Sequence, residues 1–279
     1  MKIGEAKIPY NYRTIRITQS RIAKGLLAVP VSLIDYFPKN KTRVYVTFGE
    51  NQQLSPKNFT PYESSSRECR IGGMRNFYEK FQIKDGDEIV IQILDDKKYR
   101  ILPEKKFEYL VRGLESELDK SKDENEASVK LSKISNTTNT SSKETIVSEY
   151  FRLSKIETEE RKHRISRERK AKEGVSPLIR KILTEIYEGK CQLTGFGFLM
   201  KNGNPYFDIH HISPDVGSHL KNILVVCPNI HAQFTYASVQ EYFDEDRWLR
   251  KVKFNNDEYV VYHIIDKIPK KFEKEIHYL

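Results

Sequence analysis

The first hundred residues alternate short apolar stretches with polar turns, a pattern typical of β-strands. Ile15 and Ile17 alternate with polar residues in TIRITQS, and the segment RVYVTF is β-branched or aromatic over most of its length. A glycine turn precedes the run of Ile89, Ile91 and Ile93, and GLLAVP and YRIL add further short strands. VSLIDYF and MRNFYEKF have the features of short helices. The pattern therefore predicts a compact, mostly β barrel that carries two helices.

The composition changes between Glu115 and Lys143, where no aromatic residue occurs and Ser, Thr and Asn cluster. Such a stretch buries too little apolar surface to offset the entropy of ordering, so it predicts an interdomain linker. A polar insertion within one domain is the alternative. The predicted division is a first domain at residues 1–112, a polar linker at 113–143 and a second domain at 144–279.

Two helices are predicted at the start of the second domain. Ile146, Tyr150 and Leu153 have helical spacing, and the many Arg and Lys residues that follow predict a basic end to this helix. That end could lie along phosphates or form a solvated bridge, and the sequence leaves both open. The second helix is predicted to be capped by Ser176, with Pro177 at its first position.

The formal net charge of +9 over 279 residues favours a polyanionic partner, nucleic acid first and an anionic membrane second. No run of 18 or more apolar residues occurs, and the N-terminal segment lacks the apolar stretch of a signal peptide. We therefore expect a cytoplasmic protein with no membrane partner. The three cysteines are too few and odd in number to indicate a disulfide framework.

Four of the seven histidines fall in the segment FDIHHISPDVGSHLKNILVVCPNIHAQF, residues 207–234. The pattern predicts a strand at His210 and His211, a loop, a second strand at NILVVC, and a helix that carries His231. Adjacent side chains of a strand point to opposite faces, so the paired histidines cannot share one role. One imidazole can face a metal beside His231, while the other faces a substrate as a general base.

This segment resembles the HNH, or ββα-metal, nuclease motif over residues 191–243. In that family the first residue of the pair holds a divalent metal and the second is the general base. An Asn braces the loop between the strands, and the last His is a second metal ligand. The resemblance implies that His210 and His231 are metal ligands, that His211 is the catalytic base, and that Asn222 completes the catalytic motif as the loop brace.

These roles suit phosphodiester hydrolysis, which needs an activated water, charge neutralisation at the phosphate and help for the leaving oxygen. A neutral imidazole can take the proton of water near neutral pH. We expect one divalent metal per active site, Mg first, with Mn, Ni, Co or Zn accepted because both proposed ligands are nitrogen. Asp208, Asp215 or His219 could add a ligand or an outer contact, and Thr235 stands where some relatives carry a further ligand.

Many members of that family also hold a structural zinc with two Cys-x-x-Cys pairs. The corresponding segments here are CQLT and CPNI, which keep Cys191 and Cys227 but have Thr194 and Ile230 as their last residues. Two cysteines do not complete a four-coordinate site, so no structural zinc is predicted.

Residues 13–102 resemble the B3-type DNA-binding pseudobarrel of plant transcription factors and of recognition domains in several restriction enzymes. The resemblance rests on IRITQSRIAKGLLAVP, on GGMRNFYEKFQIKDGDEIVIQIL and on the order of strands and helices. In that fold two loops enter the major groove, and by position they are TQSRIAKG and PKNFTPYESSSRECR. Arg suits guanine, and Asn or Gln suits adenine, although turn chemistry and phosphate contacts account for the same residue types. The implied DNA-contacting residues are Gln19, Ser20, Arg21, Lys24, Asn58, Ser64, Arg67 and Arg70.

The sequence thus predicts an α+β protein of two domains, a B3-like β pseudobarrel with two helices and a ββα-metal (HNH) nuclease domain with flanking helices. The predicted function is that of a sequence-specific Type II restriction endonuclease acting on double-stranded DNA. Cutting both strands at one site calls for two active sites, so a homodimer is expected. One alternative is a modification-dependent or nicking HNH endonuclease. The other is a non-cleaving, sequence-specific DNA-binding regulator with a degenerate nuclease site.

Overall fold

The structure is a computed structural model that describes residues 3–4, 14–49, 53–62, 68–156, 174–214 and 216–267 of an α+β protein. The chain divides into two compact units. The first contains the described residues up to Ser116 together with Lys133–Ser141. The second contains Glu117–Ser132 and the described residues from Ser142 onward.

An eight-stranded sheet forms most of the first unit. Its strands are β1 (Ile3–Gly4), β2 (Thr14–Arg16), β3 (Leu27–Val29), β4 (Thr42–Phe48), β5 (Ser55–Thr60), β6 (Cys69–Ile71), β7 (Glu88–Asp95) and β8 (Lys98–Pro103). The spatial order is β1-β2-β7-β8-β4-β5-β6-β3. Neighbouring strands are antiparallel except β4 and β8, which run parallel.

The strands from β2 to β8 all contribute side chains to one hydrophobic core. On β4, Val44 and Val46 are buried while Arg43 and Tyr45 are exposed, as the alternation of strand side chains requires. Seven strands around one core make the sheet barrel-like, in agreement with the mostly β barrel predicted from the sequence.

The first unit contains two short α-helices, α1 (Gln19–Lys24) and α2 (Arg75–Lys80), and a 3₁₀ helix at Val31–Tyr36. The predicted helix MRNFYEKF is α2, which buries Phe77 and Tyr78. VSLIDYF forms the 3₁₀ helix. The segment TQSRIAKG, predicted to be a loop, instead forms α1. This helix ends where Gly25 takes a left-handed conformation with φ of 61°.

Most of the polar segment predicted to be an interdomain linker is helical. It covers the end of α3 (Glu104–Asp119), a turn, and α4 (Glu124–Thr138). Glu and Lys are good helix formers, and the few apolar residues recur at helical spacing. These buried residues are Phe107, Val111 and Leu118 on α3 and Ala127, Leu131 and Ile134 on α4. A stripe of this kind is enough to order a helix although the overall composition is polar.

From Ser142 onward, the second unit contains the helices α5 (Ser142–Ser154) and α6 (Pro177–Tyr187). The predicted cap of α6 is present, because the Ile179 N–H donates to Ser176 Oγ at 3.3 Å. The basic end predicted for the preceding helix lies outside the described residues.

Three small antiparallel sheets and one further helix complete the second unit. The elements are β9 (Phe198–Leu199), β10 (Pro205–Tyr206), β11 (Asp208–His211), β12 (Ile223–Val226), α7 (Pro228–Tyr236), β13 (Val239–Phe243), β14 (Leu249–Phe254) and β15 (Asp257–Val260). Short 3₁₀ helices lie at Leu220–Asn222 and Ile264–Lys267. Residues of β12, α7 and β14 share one hydrophobic core. None of the helices in the described ranges combines the length and apolar character needed to cross a bilayer.

Candidate functional site

The histidine segment folds as strand, loop, strand and helix. β11 pairs antiparallel with β12, so that His210 lies opposite Leu224 and His211 opposite Ile223. The buried run at Ile223–Val226 fixes the second strand, and Pro228 opens α7 at its first position. This is the order of elements that the sequence predicts for residues 207–234.

His210 and His231 lie next to each other, with ring centroids 5.7 Å apart. The His210 ring also stacks on Phe234 of α7 at a centroid distance of 3.8 Å. Burial, followed by the charges of His231 and His211, lowers the pKa of His210 to about 4. The imidazole of His210 is therefore neutral at neutral pH, the form that can bind a metal ion.

His231 is oriented by a carboxylate. Its Nδ1 lies 3.1 Å from Oδ2 of Asp208, the first residue of β11. A carboxylate oxygen only accepts, so Nδ1 carries the proton and the lone pair of the ring is on Nε2. The Tyr206 hydroxyl donates to the other oxygen of Asp208 at 3.2 Å. Asp208 is thus in contact with a proposed ligand and holds it in one tautomer.

His211 lies on the other face of β11, as its neighbouring position requires. Its Nε2 is 3.1 Å from Oγ of Ser218, which belongs to the loop between the strands. The two adjacent histidines therefore have different surroundings, one beside α7 and one beside the loop.

Asn222 ties that loop together and is 6% exposed. Its Oδ1 accepts from the Ser213 N–H at 2.8 Å. Its Nδ2 donates to the carbonyl oxygens of Ser213, Val216 and Gly217 at 2.9, 3.0 and 3.1 Å. One side chain thus satisfies backbone groups of both the beginning and the middle of the loop.

The His219 side chain forms hydrogen bonds with backbone groups of the fold. Its Nδ1 accepts from the Lys221 N–H at 3.1 Å, and Nε2 is hydrogen-bonded to the carbonyl oxygen of Ile156. Because both ring nitrogens are engaged, the side chain offers no lone pair to a metal in this arrangement. Burial lowers its pKa. Asp215, also considered as a ligand, lies outside the described residues.

The donor set at β11 and α7 suits a divalent metal of borderline softness. Across the described ranges, no group of three or more His, Cys, Asp or Glu is arranged to hold a metal ion. Ring nitrogens of His210 and His231 would supply the protein ligands, with water and substrate oxygens filling the other positions. Thr235, which the HNH resemblance relates to a further ligand position, donates its hydroxyl to the His231 carbonyl oxygen at 3.3 Å.

The segments CQLT and CPNI come together in the core. Cys191, Cys227 and Ile230 belong to the same hydrophobic cluster. Thr194 Oγ1 lies 4.0 Å from Cys227 Sγ. Three of the four positions that the HNH resemblance relates to a zinc site therefore belong to this hydrophobic cluster, and the fourth, Thr194, lies beside Cys227.

Six of the eight predicted DNA-contacting residues are described by the structure, and these six lie on a helix or on strands. Gln19, Ser20 and Lys24 are exposed and Arg21 is half-buried, all on α1. Asn58 is exposed on β5, and Arg70 is on β6. The segment PKNFTPYESSSRECR was predicted to be a loop, but strand residues occupy both of its ends. Ser64 and Arg67 lie outside the described residues.

The outer face of β4, β5 and β6 carries further cations that the sequence interpretation missed. Arg43 pairs with Asn58 across β4 and β5, and Thr60 pairs with Arg70 across β5 and β6. Together with the exposed Lys41 they line a groove of about 560 Å³. The outward orientation of Arg43 can be predicted from the sequence. Val44 and Val46 are the apolar, inward positions of the strand, so their neighbours must point outward.

A carboxylate joins the two predicted DNA-contacting segments. Glu68 Oε2 contacts Nη2 of Arg21, and the Nε of Arg70 donates to Glu68 Oε1 at 2.9 Å. Residues 21 and 68 are 47 positions apart in the sequence, so this contact depends on the fold of the sheet.

Comparisons with known proteins give little sequence similarity. No protein-family model matches the chain. No curated protein sequence matches it. Among solved structures, it is similar to the Arabidopsis FUS3-DNA complex with 15% identity and a TM-score of 0.27, over 32% of this chain and 92% of that chain. It is also similar to the N-terminal domain of Helicobacter pylori LlaJI.R1 with 12% identity and a TM-score of 0.26, over 32% of this chain and 77% of that chain.

Proposed function

We propose that the chain is a metal-dependent, site-specific DNA endonuclease of the restriction type. The observation that carries the proposal is the arrangement of β11, the loop, β12 and α7. This arrangement places His210 beside His231 and puts His211 on the opposite face of the strand. Two adjacent imidazoles on one side of the strand and a separate imidazole on the other suit a metal site next to a general base.

In the proposed reaction His211 takes the proton of the attacking water. Ser218, at 3.1 Å from Nε2, fixes the plane of the ring. Asn222 holds the loop that carries Ser218, and thereby keeps the base in position. A positioned general base contributes about 10²- to 10⁴-fold to such a reaction.

His210 and His231 are the proposed ligands, and Asp208 keeps His231 in the tautomer that exposes Nε2. When bound, a divalent ion supplies charge neutralisation at the scissile phosphate and at the leaving oxygen. Mg is the first expectation, and the nitrogen ligands also suit Mn, Ni, Co or Zn.

The first unit is the proposed recognition module, a B3-like pseudobarrel that binds double-stranded DNA. The net charge of +9 and the exposed Lys24, Lys41 and Arg43 favour a phosphate backbone as the partner. Asn58 and Gln19 are exposed amides that suit adenine edges. The proposed functional form is a homodimer, because two scissions at one site need two active sites.

Plasmid cleavage tests the proposal. The full chain is incubated with methylated and unmethylated plasmid in Mg, Mn or EDTA, and the ends are sequenced. Discrete metal-dependent fragments with a common end sequence are expected. Cleavage of methylated plasmid alone would identify a modification-dependent enzyme, and open circles alone a nicking enzyme. Intact plasmid in every metal would overturn the endonuclease proposal.

A second candidate, a DNA-binding regulator that does not cleave, is favoured by the small set of ligands. Among the described residues, no three of His, Cys, Asp or Glu are arranged to hold a metal ion. The regulator would bind a specific duplex tightly without cutting it. Gel-shift selection from a random duplex library, run beside the plasmid assay, separates the two candidates.

A further inference from the structure

Glu68 is shared by two arginines that belong to different segments of the first unit. Oε2 contacts Arg21 on α1, and Oε1 accepts from Arg70 on β6 at 2.9 Å. Among the contacts of the described residues, Oε2 therefore faces the guanidinium of Arg21 and Oε1 that of Arg70. The Glu68 side chain is 14% exposed, against 25% for Arg21 and 37% for Arg70, so the acid is the most covered of the three.

The position of this acid is unusual for a surface that binds a polyanion. Arg21 on α1 and Arg70 on β6 are themselves proposed DNA-contacting residues, and Arg70 also lines the groove with Lys41 and Arg43. A carboxylate between them lowers the net charge that they present to a phosphate. It also repels the phosphate itself, because both are anions.

The same carboxylate fixes the direction of both guanidinium groups. An arginine that reads guanine needs its planar fork held in one orientation, and an ion pair restricts its rotamers in advance. A phosphate needs only a nearby positive charge, so it loses more from charge compensation than a base edge does. Glu68 would therefore weaken contacts with phosphates, which carry no sequence information, and would orient the two arginines for contacts with base edges.

We propose that Glu68 is a specificity-determining residue, which positions Arg21 and Arg70 for base edges and weakens their attraction to the phosphate backbone. This inference rests on the proposed binding of DNA by the first unit. It adds a named acid to a surface that would otherwise be described by its cations alone.

Binding of the full chain to a random-sequence 20-base-pair duplex, measured by fluorescence anisotropy in EDTA over a range of salt, tests the inference. Glu68→Gln removes the charge and keeps the size. We expect it to bind the random duplex about three- to eightfold more tightly near 0.1 M salt, since each added phosphate contact releases about 0.9 counterion. The slope of log K against log salt should steepen accordingly.

Glu108→Gln is the matched control. Glu108 is also paired with an arginine, Arg112, at 2.9 Å on α3, and the change adds the same unit of net charge. We expect less than a twofold change for it. Glu68→Asp keeps the charge and should return the affinity for random duplex towards the wild-type value. Thermal unfolding of each variant reports whether the fold is retained.

A second pair of variants tests the inference without changing Glu68. Arg21→Gln should weaken random-duplex binding less than Lys24→Gln does, because the charge of Arg21 is already compensated. Both residues lie on α1. Selection from a random duplex library should also give a less defined consensus for Glu68→Gln than for the wild type.

Two outcomes would overturn the inference while leaving the proposed function intact. One is wild-type affinity for random duplex in Glu68→Gln. The other is weakened binding in that variant, which would mean that Glu68 only supports the fold of the surface. If the wild type binds no duplex even at low salt, the proposed DNA-binding function itself fails.

Discussion

Asp208 and His231 are joined through a hydrogen bond of 3.1 Å between Oδ2 and Nδ1, across 23 positions of the chain. The first residue of β11 thereby sets the tautomer of a residue in the middle of α7. The proposed metal site consequently depends on the pairing of these two elements as well as on the ligands themselves.

Asp208→Asn should weaken the hydrogen bond to Nδ1 of His231, while the new side chain keeps the shape of the aspartate. Changes of this kind cost about 10- to 100-fold in metal affinity, so the metal concentration for half-maximal cleavage should rise by that factor. Titration of Mn into the apo protein measures it directly. Asp257→Asn, at an exposed position of β15, is the control and should leave the titration unchanged. An equal shift in both variants would contradict the role of Asp208.

His211→Ala should lower the rate of plasmid cleavage by about 10²- to 10⁴-fold, because the proposed general base is removed. Duplex binding and metal titration should stay within twofold of wild type. His219→Gln is the paired control, since His219 bonds backbone groups and not the reacting atoms. If His211→Ala loses its fold or its DNA binding, the residue is structural.

Asn222→Asp keeps one acceptor and removes the amide that donates to three backbone carbonyl oxygens. We expect a loss of about 2 kcal/mol or more in the free energy of unfolding, because those partners lose their donor and the new charge is buried. Urea denaturation measures the loss. Asn202→Asp, in the exposed turn between β9 and β10, should change stability by less than about 0.5 kcal/mol.

His263 should make stability dependent on pH. It is 2% exposed, its Nε2 donates to the Leu249 carbonyl oxygen at 2.7 Å, and burial lowers its pKa. The pKa in the folded state is thus below that in the unfolded state, near 6.5, so the unfolded chain binds the proton first. The free energy of unfolding should therefore fall as the pH drops below about 6.5.

Urea denaturation at pH 7.5 and at pH 5.5 checks this, with His263→Gln as the comparison. The wild type should lose up to about 1 kcal/mol more than the variant between the two pH values. Equal losses would mean that other groups carry the pH dependence.

Limited trypsin digestion tests whether residues 113–143 form an unstructured linker, as their composition predicts, or ordered helices, as in the structure. An unstructured linker would be cut first at Lys130 or Lys133. These residues lie on α4, whose buried face includes Leu131 and Ile134, so cleavage there should be slow. Early cuts at those two lysines would favour the linker.

The local order of the candidate site could be predicted because it is encoded in a short stretch. Strand alternation separates His210 from His211, and Pro228 starts the helix that carries His231. The helicity of α4 was also available, since Ala127, Leu131 and Ile134 have helical spacing. The average composition of the segment hides this signal, because only a few apolar residues carry the periodicity.

Contacts between residues far apart in the chain could not be predicted from local sequence patterns. Glu68 reaches Arg21 only because the sheet order brings β6 and β3 together, and no local pattern marks an acid in a basic segment as a partner of a distant helix. The register of β5 and β6 likewise decides that Asn58, Thr60 and Arg70 share a face.

The hydrogen bonds of Asn222 also fix how many residues the loop can hold. One amide spans Ser213, Val216 and Gly217, so the chain between the two strands has a defined length as well as a defined shape. An insertion or deletion between Ser213 and Asn222 would shift Ser218 away from His211. We therefore expect this loop, unlike most surface loops, to tolerate changes of side chain better than changes of length.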